Sequence, residues 1–391
     1  MLPCQRALFD IPRDVCYLNA AGWSPLPLAV QQAGRAGVAR KGRPWELAPD
    51  FAAAQHERAR AAAARLIGAD PGDVALVPSV GYGVATAGKA LGPLPAGARA
   101  LVLEDDHSSP VLEWLTRAPA EGFAVETVRR PGDGDWAAAL LDAIERPGAP
   151  PVAVASVSSV HWSDGGMLAL EGVSRALRAR GAALVVDATH AAGVVPTDVA
   201  ALDPDFLAFP TYKWTLGPYG RAFLYVAKRR QGGGALPLEQ TAHGRRGVAA
   251  DRVPYLRDLS FAPGALRFDM GERDHFVSLE MAAVGMEMMA AWGADAITAR
   301  LRALTDRMAE GLNDATGGGG VRLAVAEPRL RAPHLLCLEL PAGMPEGLVE
   351  RLAAENVHVA ARVGRVRVSP HVYNDEGDVD RFVAALRGLL R

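Results

Sequence analysis

The chain has 391 residues, 42 basic and 44 acidic, for a net charge of −2. That balance, without a long basic run, excludes an electrostatic footprint for nucleic acid. With half the residues apolar and 22% charged, a disordered chain is excluded as well. No apolar run approaches the ~20 residues a membrane helix needs, and MLPCQRALFDIPRD is broken by proline and charge too early for a signal peptide. Cys4, Cys16 and Cys337 are an odd, scattered set. They fit free thiols in a reducing compartment, so a cytoplasmic protein is expected. Only four cations are lysines, at 41, 89, 213 and 228. Arginine replaces lysine as a solvated charge but not as an amine nucleophile, so any amine chemistry belongs to one of these four.

In chain order, residues 51–66 (FAAAQHERARAAAARL) read as a helix leading into a run of strands. The strand candidates are VALVPS (74–79), RALVLEDD (99–106), FAVETVRR (123–130), PVAVASVSS (151–159), AALVVDA (182–188), FLAFP (206–210) and RAFLYVA (221–227). Helical stretches such as VLEWLTRAPAEG, DWAAALLDAIE and MLALEGVSRALRARG fill most gaps. Several strands are almost wholly apolar, which predicts burial on both faces. The expected fold is α/β, a three-layer domain on a mostly parallel seven-stranded sheet. The last two strands are joined without room for a full helix, so one of them is expected to run antiparallel. Residues 277–312 read as one long helix, or two interrupted near Gly293, and the Gly-rich stretches RRQGGGALP and ATGGGGVRL read as turns. Beyond them VRLAV, HLLCLEL, VHVAAR and RVRVSP alternate with VERLAAEN and VDRFVAALRGLL, a smaller α+β unit. The expected division is a segment 1–25 packing with the small unit, a large domain 26–284, and a small C-terminal domain 285–391.

In open α/β sheets functional groups gather where strands end. Ser79-Val80-Gly81-Tyr82-Gly83 follows the first strand, His107 the second, His161-Trp162-Ser163-Asp164-Gly165 the fourth, Asp187-Ala188-Thr189-His190 the fifth, and Thr211-Tyr212-Lys213 the sixth. Each has an ordinary reading: an Asp after a strand is commonly a turn former, and a lone Lys a surface cation. The Gly81/Gly83 pair is no dinucleotide fingerprint, because Thr86 stands where the third glycine belongs. A metal site from His107, His161, His190 and Asp187 is an alternative, although their spacing matches no local metal motif.

Taken together and in order, DATHAAGVVP (187–196), YKWTLGPYG (212–220) and RVSPHVYN (367–374) resemble the class V aminotransferase group of fold-type I pyridoxal-phosphate enzymes. That group includes cysteine desulfurases, selenocysteine lyases, kynureninases and isopenicillin-N-epimerase-like proteins, and the likeness runs from Tyr17 to Asn374. The resemblance implies pyridoxal 5'-phosphate held as a Schiff base by Lys213, and an acid, Asp187, pairing with the pyridine nitrogen. His190 would lie near the ring's phenolic oxygen and His107 on the ring face. Ser79, Val80 and Gly81 at a helix N-terminus would hold the phosphate, with Tyr212 beside it. Arg367 would pair with the substrate carboxylate, and His161 is a further substrate-binding candidate. Trp23, Trp45, His56 and Arg273 are candidates to reach the substrate. A homodimer is also implied, with the Gly271-Glu272-Arg273 loop toward the neighbouring site.

Three positions depart from the group. His161 stands where Asn is frequent, and Pro210 where many members carry a phosphate-binding Ser. Between Arg362 and Arg367 only VGRV remains where desulfurases insert a long loop bearing a nucleophilic cysteine. A persulfide mechanism therefore lacks its nucleophile. The expected activity is a pyridoxal-phosphate enzyme on an amino acid, transamination first, with C–S β-elimination or epimerisation as alternatives. A silent relative kept as a binding module has no physical need of Lys213, Asp187 and Arg367 together.

Overall fold

The computed structural model describes residues 2–246, 248, 259–313, 320–340 and 342–390. The chain opens with β1 (Cys16–Tyr17), α1 (Leu28–Lys41) and α2 (Phe51–Leu66), then runs through β2 (Val74–Val77), α3 (Val80–Leu91), β3 (Arg99–Leu103), α4 (Ser108–Glu121), β4 (Ala124–Val128) and α5 (Trp136–Glu145). It continues with β5 (Val152–Ser158), α6 (Leu170–Arg178), β6 (Ala183–Asp187), the short α7 (Val199–Leu202), β7 (Phe206–Pro210) and β8 (Ala222–Val226). Two long helices, α8 (Ser278–Trp292) and α9 (Ala294–Asn313), precede β9 (Arg322–Leu323), β10 (Leu336–Glu339), α10 (Leu348–Ala354), β11 (Val357–His358), β12 (Ala360–Arg362), β13 (Arg365–Val368) and α11 (Glu376–Leu389).

The seven expected strands form one sheet in the order β2-β8-β7-β6-β5-β3-β4. All neighbours pair in parallel except β8, which is antiparallel to both β2 and β7. A parallel return needs a crossover of a dozen or more residues, and the Thr211–Arg221 connection is too short and helix-free to supply one. The nearly unbroken apolar strands are explained by burial on both faces. Leu101, Val157, Leu184, Val186, Leu207 and Phe223 pack into one core, while Ala100, Val102, Val154, Val185, Phe206 and Leu224 pack into a second on the other side.

This topology sets up the site. The carboxyl ends of β2, β3, β5, β6 and β7 reach one edge of the sheet. Because β8 runs the other way, its first residues reach that edge too. Val77, the end of β2, and Pro210, the end of β7, both lie opposite Ala222.

The C-terminal part carries a second, antiparallel sheet in the order β12-β13-β10-β9. The stretch VHVAAR divides at Val359. Its first half, β11, pairs in parallel with β1, and its second half, β12, joins the four-stranded sheet. The Leu18 carbonyl accepts the Ser369 amide at 2.7 Å and the Ser369 hydroxyl at 3.3 Å, and Ala20 donates to the Ser369 carbonyl at 3.0 Å, so residues 16–20 run alongside this unit. The long C-terminal helical stretch is two helices, broken at Gly293 with φ of 80°, a conformation open to glycine at little steric cost. The expected turn ATGGGGVRL falls largely on 314–319, outside the described residues.

Candidate active site

A cavity of about 220 Å³ opens at this sheet edge, lined among others by Ser79, Val80, Gly81, His107, Asp187, His190, Tyr212 and Lys213. These eight came from strand ends scattered over more than a hundred residues, and the fold brings them to one hollow.

Ser79 caps α3, its Oγ accepting the Tyr82 amide at 3.1 Å. The Val80 and Gly81 amides, on the first turn, have no intrahelical acceptor and carry the positive end of the helix dipole. His107 likewise caps α4; its Nδ1 accepts the Ser109 amide at 3.3 Å, and its ring meets Trp162 edge-on at 5.7 Å. Burial, with Lys213 and Arg367 opposing the pull of Asp187, lowers its pKa.

Asp187 ends β6 and is buried, with Oδ1 accepting the Thr189 amide at 2.8 Å. His190, one turn further, accepts the indole N–H of Trp214 on Nδ1 at 2.9 Å. An indole nitrogen only donates, so Nδ1 of His190 is unprotonated and the neutral ring carries its proton on Nε2. Burial first, then the charges of Lys213 and Arg367, holds that ring well below the usual histidine range. His190 is thus a neutral donor.

Lys213 follows β7 and is 8% exposed. Burial and the cations Arg367 and Arg362 push its amine down to about 8, against the opposing pull of Asp187. Such an amine is neutral about one time in ten at pH 7, far more often than an ordinary lysine. Tyr212, pushed up to about 12 mainly by burial, packs with Tyr219 and Trp23 at centroid distances of 4.6 and 5.6 Å.

Arg367 comes from β13, is 2% exposed and, like His161, is not on the cavity wall; its guanidinium lies 5.9 Å from the ring of Trp162, which is. Its Nη1 donates to the Trp162 carbonyl at 3.2 Å, and its Nε has no partner among the described residues. Opposite it on β10 stands Cys337, not a carboxylate. Burial lowers this guanidinium to about 10. A buried arginine without an acid is under-compensated and set to receive an anion.

His161 is placed differently from the expectation of a substrate contact. It is absent from the cavity wall, its ring stacked on Trp136 at 4.8 Å, its Nε2 3.0 Å from the Glu104 carbonyl and its Nδ1 3.3 Å from Asp164. Burial works against its charge, but the Asp164 bond and charge outweigh this and raise its pKa. Asp164 also takes the Trp136 indole N–H at 3.0 Å and Arg130 at 3.1 Å. The turn after β5 thereby buries His161 and presents Trp162 to the cavity. With His161 held there, the alternative metal set does not converge, and no His/Cys/Asp/Glu group able to hold a metal occurs among the described residues.

Of the four outlying candidates, Trp23 alone touches cavity residues. Trp45 is solvent-exposed, His56 packs edge-on against His275, and Arg273 pairs with Asp269 at 2.9 Å. The wall also contains Ser109, Ser158, Tyr219 and Arg221, which the strand-end reading did not single out. Ser109 was signalled only by its place in the first turn of a helix behind a strand.

A lysine amine and an acid at one cavity on the carboxyl edge of a three-layer α/β sheet, with the first-turn amides of α3 beside them, fit pyridoxal 5'-phosphate. The acid suits a pyridinium nitrogen, the free helix amides an anion, and the amine an aldehyde. The fold is therefore that of a fold-type I enzyme. The aminotransferase class-V family description matches residues 17–382, and the chain belongs to that family of pyridoxal-phosphate-dependent enzymes. It is 30% identical over 340 residues to isopenicillin N epimerase of Streptomyces clavuligerus, covering 85% of this chain and 84% of that one. It is 26% identical over 399 residues to a kynureninase of Burkholderia pseudomallei, covering 98% and 91%. Its fold is similar to an apo cysteine desulfurase from Thermococcus onnurineus NA1, with a TM-score of 0.85 at 21% identity, covering 100% and 99% of the two chains. Among the described residues, no helix is long and apolar enough to cross a membrane.

Proposed function

We propose that this enzyme acts on the amino group of a small amino acid, with transamination as its reaction and Lys213 as the residue that holds the cofactor. The observation that carries this is the Lys213 amine, buried and lowered to about 8 beside Asp187 in one cavity. Bound there, pyridoxal 5'-phosphate supplies an aldehyde for the amine and a ring that withdraws electrons from the substrate's α-carbon.

The protein's own side chains divide the remaining work. Asp187 would hold a proton on the ring nitrogen by charge pairing, and the Nε2–H of His190 would be the donor for the ring oxygen. Val80 and Gly81 offer amide protons to the phosphate, with Ser79 and Tyr212 nearby. His107, steadied by Ser109 and Trp162, would hold the ring by its face. Arg367 takes the substrate α-carboxylate in its free N–H groups, which orients the α-carbon toward Lys213. Once its amine is free, Lys213 would accept the α-proton at Nζ and hold it for return elsewhere.

Persulfide chemistry has little support. Cys337 is buried in β10 and its thiol is pushed up to about 12, chiefly by burial; Cys16 is buried with its thiol on the Asp378 carbonyl at 3.2 Å. Neither lines the cavity. Epimerisation is the second reading, favoured by the 30% identity to an epimerase. We also propose a homodimer, and a small domain that takes residues 1–25 with it, supported by the β1–β11 pairing.

An amino-acid panel with and without an oxo-acid acceptor tests the reaction. Product that appears only with acceptor is expected. Pyruvate and ammonia without acceptor point to elimination, and loss of optical rotation alone to epimerisation; either replaces the transaminase reading.

A further inference from the structure

Arg221 is the unexplained side chain of the cavity. It is 6% exposed, lines the wall, and immediately precedes β8. Its Nε donates to Ser278 Oγ at 2.6 Å, and its Nη1 meets only the sulfur of Met270 at 3.4 Å. The nearest carboxylate, Asp274, is 3.9 Å from Nη2 and itself partly exposed. A guanidinium has five N–H donors. One reaches an oxygen, one a weak sulfur acceptor, and the others face no oxygen within hydrogen-bond reach among the described residues. Burial lowers its pKa, and Asp274 offsets this only in part. A buried cation so poorly compensated is costly unless an anion completes it.

The topology says which anion. Ala222 pairs with Val77 on one side and Pro210 on the other. Arg221 therefore sits between the residue that leads into the Ser79–Gly81 helix start and the end of β7, and the Thr211 amide donates to its carbonyl at 3.0 Å. That is the end of the cavity where the Ser79–Gly81 helix start lies, and Arg367 is not on its wall. Pro210, at the end of β7, offers neither a hydroxyl nor an amide proton there.

We propose that Arg221 binds the cofactor phosphate, supplying a charge where the neighbouring strand end, Pro210, offers no donor. The antiparallel β8 makes this possible, because only a strand running against its neighbours delivers its first residue to this edge. Ser278 and Met270 hold the guanidinium so that its Nη groups stay available to phosphate oxygens, a geometry suited to a charged fork. This rests on the pyridoxal-phosphate reading above.

The test compares two ligands that differ only in the phosphate. Apo protein is titrated with pyridoxal 5'-phosphate and with pyridoxal, for wild type, Arg221→Gln and Arg221→Lys. In Arg221→Gln, affinity for the phosphate ester should fall about 10- to 100-fold while affinity for pyridoxal stays unchanged. Arg221→Lys should recover part of the loss. An equal loss for both ligands, or no loss for either, overturns the assignment. If Arg221→Gln does not fold, the wild type decides. Inorganic phosphate should slow modification of Arg221 by phenylglyoxal, read by peptide mass spectrometry, and equal modification with and without phosphate refutes the proposal. Failure of wild-type protein to bind either ligand at Lys213 would instead remove the cofactor reading itself, a distinct result.

Discussion

The state of the Lys213 amine is the most quantitative consequence of this site. Burial and two arginines lower it from 10.5 to about 8, with Asp187 pulling the other way. At pH 7 an amine titrating there is neutral roughly one time in ten, about 300 times more than at 10.5. Competitive acetylation of apo protein across pH, read on the Lys213 peptide by mass spectrometry, measures this directly. The labelling midpoint should lie near 8. Arg367→Gln removes a cation and should raise it, while Asp187→Asn removes an opposing anion and should lower it. The linked stability has a definite sign. A cation whose pKa is lowered in the folded state costs most below about 8, and the cost fades as pH rises toward 10.5. A midpoint near 10.5, or Asp187→Asn moving it upward, would refute the reasoning.

Trp214→Phe removes the donor that fixes Nδ1 of His190 as an acceptor. It should weaken pyridoxal-phosphate binding by about 3- to 10-fold, in line with one hydrogen bond, and shift the pH dependence of the bound cofactor's absorbance; an unchanged spectrum and affinity would show that the tautomer is irrelevant. Asp164→Ala leaves Arg130 and His161 without their shared acid. It should cost about 3–5 kcal/mol in denaturant unfolding, and a loss under 1 kcal/mol would mean that the buried pair is already solvated. Cys337→Ala should retain turnover within about twofold, because truncating a buried side chain there costs packing alone. Abolished activity would restore the thiol to the mechanism.

All seven strands of the large sheet were readable from their apolar runs, and so was the antiparallel one, because 211–221 leaves no room for a crossover helix. Strand ends were equally readable, and they carry Ser79, His107, Asp187, His190 and Lys213 to the cavity. His161 and Trp162 were not distinguishable. Which of two adjacent side chains enters the cavity depends on Asp164 meeting Arg130 and Trp136, contacts from distant segments that no local pattern records. Arg221 was hidden for a related reason. As the first residue of an apolar strand it looks like an ordinary edge charge, and only the register of β8 between β2 and β7 places it at the phosphate end. The scarcity of lysine narrowed the search to four residues. Lys89 lies within α3, and Lys228 is an exposed cation 3.7 Å from Asp73. Lys41 ends α1 over the Phe276 ring. None of these three lines the cavity.

Borohydride reduction of protein incubated with pyridoxal 5'-phosphate, followed by peptide mass spectrometry, tests the central claim most directly. The mass of one reduced pyridoxyl-phosphate group should appear on the peptide containing Lys213, and Lys213→Ala should abolish it. Unmodified protein, or a label confined to Lys41, Lys89 or Lys228, would contradict it.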